Sequence, residues 1–143
     1  MGVFFTVENI EFKLKDKLRI KKWISEVIKR AEKRMGEINY QFSNDENVLR
    51  VNQTYLNHDT YTDIITFDYV EGDVISGDIL ISVDRVKENA ETFGIAFEQE
   101  LHRVIIHGVL HLLGNADKTD KEAANMRKLE EQALQLWNEL NVQ

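Results

Sequence analysis

The 143-residue chain contains no cysteine and no proline. Without cysteine there is no disulfide and no thiolate ligand, so any bound metal must be held by His, Asp or Glu. A reducing compartment is compatible with that composition. Average usage of about 5% would supply roughly seven prolines, so Gly, Asn and Asp must mark the turns instead. Long hydrophobic runs are also missing: none approaches the roughly 18 apolar residues of a membrane span. The start, "MGVFFTVENIEFKLKDK", is not laid out as a signal peptide, because its basic residues follow the apolar patch. Gly2 and Thr6 match a myristoylation signal only weakly, and a buried strand is the preferred reading there. There are no repeats, linkers or low-complexity stretches. The expectation is one domain over 1–143, soluble and cytoplasmic, with no membrane partner.

What is present is an ordinary globular balance of 43% hydrophobic and 30% charged residues. "VFFTVEN" and "EFKL" read as short strands, and "EINYQFS" alternates like a third. "TDIITFDYV" and "SGDILISV" are β-rich runs around a loop or hairpin, "EGDVISG". Ile20, Trp23, Ile24, Val27, Ile28 and Ala31 recur at helical spacing, with Gly36 ending that helix. Asn44 or Asp45 caps a short helix through "ENVLRVNQTYL". "DRVKENAETFG" reads as a helix stopping at Gly94, and "AFEQELHRVIIHGVLHLLG" as a very apolar one stopping at Gly114. "DKEAANMRKLEEQALQLWNEL" is a last amphipathic helix. The fold class expected is α/β (α+β): a small mixed sheet packed with helices, the most apolar helix central and buried.

The formal net charge of −7 argues against a nucleic-acid partner, but the distribution is uneven. The basic segment 12–34, taken with Glu11 before it, holds ten Lys or Arg against four Asp or Glu, a local +6 that leaves −13 for the remainder. Such a segment is either a solvated helix flank or a basic face for phosphates.

The stretch "HGVLHLLGNAD", residues 107–117, is the chemical signal. On a helix His107 and His111 are separated by about 40°, so both imidazoles leave one face and can chelate one ion. Gly114 can take the left-handed conformation that ends the helix, and Asp117 can then return toward the same ion. The spacing H-x-x-x-H-x-x-G-x-x-D is similar to the ligand pattern of the metzincins. Two nitrogens and one oxygen leave a tetrahedral zinc with one open position, a catalytic arrangement. The bland alternative is two histidines on the inner face of a buried helix. Gly108 stands where a zinc protease carries its glutamate base, which favours another hydrolase and leaves space beside the metal for a bulky group.

"HGVLHLLG" resembles the signature H-G-x-L-H-L-x-G-Y-D-H of the YbeY family of single-domain endoribonucleases. "LNHDTYTDIITF" (56–67) is similar to that family's Leu-Asn start and T-D-V-L-S-F strand, and "SGDILIS" (76–82) to its G-D-I-x-I-S strand. The blocks come in family order and the helix lengths between and after them fit, so the resemblance covers essentially the whole domain. The resemblance implies a zinc-dependent endoribonuclease, specific for single strands. It would act in ribosomal RNA maturation at the small-subunit rRNA 3′ end and in ribosome quality control, with ribosomal RNA and the small ribosomal subunit as partners. It implies one Zn2+ per chain on His107, His111 and Asp117, the last replacing a family histidine; Asn115 and Ala116 replace Tyr and Asp. The family's loop arginine has no counterpart, and His58 is the nearby candidate for substrate contact. The general base is not assigned. Two rival readings are a metzincin-like metalloprotease and a non-catalytic ribosome-assembly factor with a structural metal.

The remaining polar candidates receive plainer readings. His102, about 140° round the helix from His107, is expected to make a surface or capping contact. Asp63 is read as capping or bracing its strand, and Asp78 as structural or as an acceptor for a metal-binding histidine. Met126 lies in a helical pattern and is not read as a metzincin Met-turn.

Overall fold

A computed structural model describes residues 1–140; the last three positions of the expected 1–143 domain lie outside the described residues. The elements run β1 (Gly2–Val7), α1 (Lys17–Arg30), β2 (Arg34–Ser43), α2 (Asp45–Leu56), β3 (Ile64–Asp68), β4 (Val74–Ser82), α3 (Val83–Phe93), α4 (Phe97–Leu112) and α5 (Asp120–Leu140). Four strands form one sheet in the order β1-β2-β4-β3. β1 and β4 each pair parallel to β2, and β3 pairs antiparallel to β4. The mixed sheet packed with helices is therefore the α/β architecture expected from the sequence.

Alternation builds the sheet's inner face. Ile38, Tyr40 and Phe42 of β2 and Ile75, Ile79 and Ile81 of β4 are all buried, as period-2 side chains on one face must be. α4 lies on that face and is central, with ten of its sixteen residues buried. Two polar groups tie the layers together inside the core. The Tyr40 hydroxyl donates to the Ile105 carbonyl at 2.7 Å, and Trp23 Nε1 donates to the Ala133 carbonyl at 2.7 Å. Each gives a buried donor its partner, which an apolar core otherwise withholds.

Three local expectations are corrected. "EFKL" is irregular, not a strand: Leu14 is buried and Phe12 sits 5.3 Å from the Phe42 ring, so its alternation records packing without pairing. The first helix stops at Arg30, with Glu32 at φ 60, and Gly36 lies inside β2. Gly36 is needed there because a Cβ would meet Ser76 Oγ and stand 2.9 Å from the Ile75 carbonyl oxygen. Residues 74 and 75, read as part of a loop, already belong to β4 and pair with Arg34 and Met35. The caps agree with expectation: Asn44 Oδ1 accepts the Asn47 N–H at 2.8 Å, and Gly94 closes α3 at φ 68.

Candidate metal centre

α4 carries His107 and His111 as a perpendicular pair, ring centroids 4.6 Å apart. The helix ends one residue after His111. Gly114, at φ 96, reverses the chain, and its N–H donates to the His111 carbonyl at 2.9 Å. Asp117 then comes back over the helix end. Its Oδ2 lies 3.4 Å from His107 Nε2 and 3.4 Å from His111 Nε2. One ligand atom from each of the three residues falls within 4.8 Å of the others, all half-buried, and the group could hold a metal ion. Bonds of about 2.0–2.1 Å to a tetrahedral ion place neighbouring ligand atoms about 3.3–3.4 Å apart. The observed N–O separations match that edge, so the donor set fits a small divalent cation.

Behind His107 stands a network that the sequence reading missed. His107 Nδ1 is 2.5 Å from Glu130 Oε2 on α5. Arg103, one turn before His107 on α4, donates to Glu130 Oε1 at 3.2 Å and to both oxygens of Glu100 at 2.9 and 2.7 Å. Asp63 Oδ2, just before β3, lies 3.8 Å from the same guanidinium. Glu100 and Glu130 are both buried. Burial pushes the Glu130 carboxyl up, but the His107 hydrogen bond and the Arg103 and His107 charges outweigh it and hold the group below its ordinary value. Burial dominates at Asp63, whose carboxyl is raised despite Arg103 and His107. Hydrogen bonding to Glu100 is the largest influence keeping Arg103 charged. The sequence did carry a signal for Glu130. Met126, Glu130, Ala133 and Trp137 are spaced 4, 3 and 4 and all are buried, so a carboxylate occupies the apolar stripe of α5, where an unpaired charge would be costly.

A cleft of about 500 Å3 opens beside the three residues, with Phe93, Gln99, Arg103, His107, Asp117 and Arg127 among its lining. His58 does not line it. It sits in the exposed loop after α2, where its N–H donates to the Asn52 carbonyl at 3.1 Å. Asn57 before it is left-handed at φ 56.

Four further readings are resolved. His102 is not a surface contact: it is buried, with its ring 4.2 Å from Trp137 and 6.0 Å from Trp23. Burial, then the nearby Arg19 charge, lowers its pKa from 6.5 to about 4. Asp78 has a structural partner, accepting from Asn39 Nδ2 at 3.2 Å, and Glu130 takes the place beside the histidine. Met126 is inside α5, as read. Gly108 does not leave room beside the candidate ligands. A Cβ there would stand 2.8 Å from Ile79 Cδ1 and 3.2 Å from Ile64 Cδ1, so the sheet takes the space.

The basic segment is spread over the loop before α1, α1 itself and the start of β2. Several of its cations are engaged: Arg19 with the Trp137 carbonyl at 2.7 Å, Arg30 with Glu26 at 3.2 Å, and Arg34 with Asp73 at 3.1 Å. Arg30 and Lys33 also border a cavity of about 360 Å3 with Leu110, Leu113 and Asn115, which flank the C-terminal end of α4. No helix among the described residues is long and apolar enough to cross a membrane.

The family model described as Endoribonuclease YbeY matches residues 5–138. A Porphyromonas gingivalis protein named Endoribonuclease YbeY is 54% identical over 118 residues, covering 82% of this chain and 78% of its own. A Flavobacterium psychrophilum protein of the same name is 50% identical over 130 residues, covering 91% and 93%. One from Parabacteroides distasonis is 47% identical over 139 residues, covering 97% and 98%. The solution structure of TM1509 from Thermotoga maritima superposes with a TM-score of 0.65 at 27% identity, over 96% of this chain and 92% of that one.

Proposed function

Because the chain belongs to the Endoribonuclease YbeY family, we propose that it is a metal-dependent endoribonuclease that hydrolyses internal phosphodiester bonds of single-stranded RNA. The observation that carries the reading is the convergence of His107 Nε2, His111 Nε2 and an Asp117 oxygen beside an open cleft. The ion is read as zinc, one per chain, held by these three residues; two imidazoles and a carboxylate suit it. Bound there, it supplies a Lewis acid that lowers the pKa of water toward about 7 and polarises a phosphate oxygen.

The chain's own groups do the rest. His107 and His111 present nitrogen from a rigid buried helix, and Asp117 closes the set from the turn after it. Glu130, itself held by Arg103, contacts the His107 ring. His58, in its exposed loop, is read as a substrate contact, and cations of the basic segment 12–34 as holders of backbone phosphates. The family resemblance supports the wider reading: precursors of ribosomal RNA as substrate, the 3′ end of the small-subunit rRNA as the region processed, the small ribosomal subunit as partner, and the cytoplasm as location.

Gly108 speaks against a metalloprotease. Its Cβ direction runs into Ile79 and Ile64, so a glutamate at this position would point into the sheet instead of toward a substrate carbonyl. The test sets single-stranded RNA and unfolded casein side by side, each with native and chelated protein. RNA cleavage lost on chelation, with casein intact, supports the reading. Casein cleavage without RNA cleavage would replace it with the protease. Undiminished ribosomal RNA processing in cells carrying His111→Ala would favour the assembly factor.

A further inference from the structure

We propose that Glu130 is a positioning residue of the metal centre: by accepting the Nδ1 proton of His107 while Arg103 holds its other oxygen, it fixes the tautomer that turns the Nε2 lone pair toward His111 and Asp117. The inference rests on the metal reading above and adds to it a residue on a different helix. A neutral imidazole carries one proton, and either nitrogen can hold it. Only the form protonated at Nδ1 leaves Nε2 free to ligate. The geometry selects that form. Nδ1 faces a carboxylate oxygen at 2.5 Å, an atom that only accepts when ionised. Nε2 faces Asp117 at 3.4 Å.

Glu130 is itself held in place. Its side chain is buried, and its second oxygen receives Arg103 Nη1 at 3.2 Å. Arg103 is anchored in turn by both oxygens of buried Glu100, 2.9 and 2.7 Å away. The two oxygens of Glu130 therefore have separate duties, one toward Arg103 and one toward His107. This division makes the isosteric amide informative. In Glu130→Gln the guanidinium, which only donates, must keep the amide oxygen. The amide NH2 is then left facing His107 Nδ1 and donates to it. The imidazole proton moves to Nε2, and a hydrogen points at the metal position.

The test is read first without metal. Long-range 1H–15N spectra of the chelated full-length protein at alkaline pH report the His107 tautomer, assigned by comparison with His107→Gln. The wild type should be protonated at Nδ1, and Glu130→Gln at Nε2. Zinc affinity, measured by competition with a chromophoric chelator, should fall about 10- to 100-fold in Glu130→Gln, the range for loss of such a supporting group, with one zinc per chain still bound at saturation. A merely structural Glu130 would lower thermal stability and leave tautomer and zinc affinity unchanged, which overturns the proposal. So would a wild-type His107 protonated at Nε2, an outcome readable even if the variant does not fold. If the wild type binds no zinc, the metal reading fails, and the metal-free spectrum still decides whether Glu130 sets the His107 tautomer.

Discussion

Gly108 of α4 lies against Ile79 of β4 so closely that a Cβ would stand 2.8 Å from Ile79 Cδ1 and 3.2 Å from Ile79 Cγ2. The helix that carries both histidines is thus seated on the sheet through a position with no side chain. Alanine is the better helix former by about 1 kcal/mol, yet overpacking a core typically costs about 1–3 kcal/mol. Gly108→Ala should therefore lower stability, by up to about 2 kcal/mol, in urea unfolding. An increase in stability would mean that α4 shifts freely on the sheet. Gly108→Glu should be more disruptive and confer no peptidase activity.

His102 makes stability pH-dependent. Its pKa is lowered from 6.5 to about 4 by burial and Arg19, so between those values the unfolded chain binds more protons than the folded one. The stabilisation is complete above about pH 6.5, is lost as pH falls toward 4, and changes no further below that. A shift of this size corresponds to at most about 3 kcal/mol. In His102→Phe, which keeps a ring between Trp23 and Trp137, the unfolding free energy should fall less steeply over this interval than in the wild type. Parallel curves for the two proteins would show that His102 protonates freely in the fold.

Asp117 occupies the third position of the candidate site, where the family pattern has histidine. Asp117→His supplies a nitrogen at the same point and should keep zinc binding or tighten it. Competition against a zinc dye decides this. A loss of affinity of more than tenfold would place Asp117 outside the ligand set.

The basic segment predicts salt behaviour. Reversing Lys21, Lys22, Lys29 and Arg30 to Glu should weaken single-stranded RNA binding and flatten its dependence on salt, because fewer counterions are released. Metal content should stay the same. Unchanged affinity and slope would remove α1 from RNA binding.

The sheet, the central helix and the group of three were legible because each rests on local spacing. Alternation marks β2 and β4, and the four-residue step from His107 to His111 with Gly114 beyond it marks the candidate site. What was not legible depends on which elements become neighbours. Glu130 lies 23 positions from His107, and only the packing of α5 on α4 brings them together. His102 looked peripheral by helical angle, because the angle cannot show that α1 and α5 supply Trp23 and Trp137 on that side. Gly36 reads as a stop because glycine is enriched after helices; it is instead the residue that lets β2 pass close to Ser76 and Ile75.

The most direct test of the account is cleavage of one end-labelled single-stranded RNA by chelated protein as zinc is added back. Internal cleavage should be absent at the start, rise with added zinc and level off at one equivalent per chain, while His111→Ala stays inactive throughout. Cleavage by the stripped wild type, or equal cleavage by His111→Ala, would contradict it.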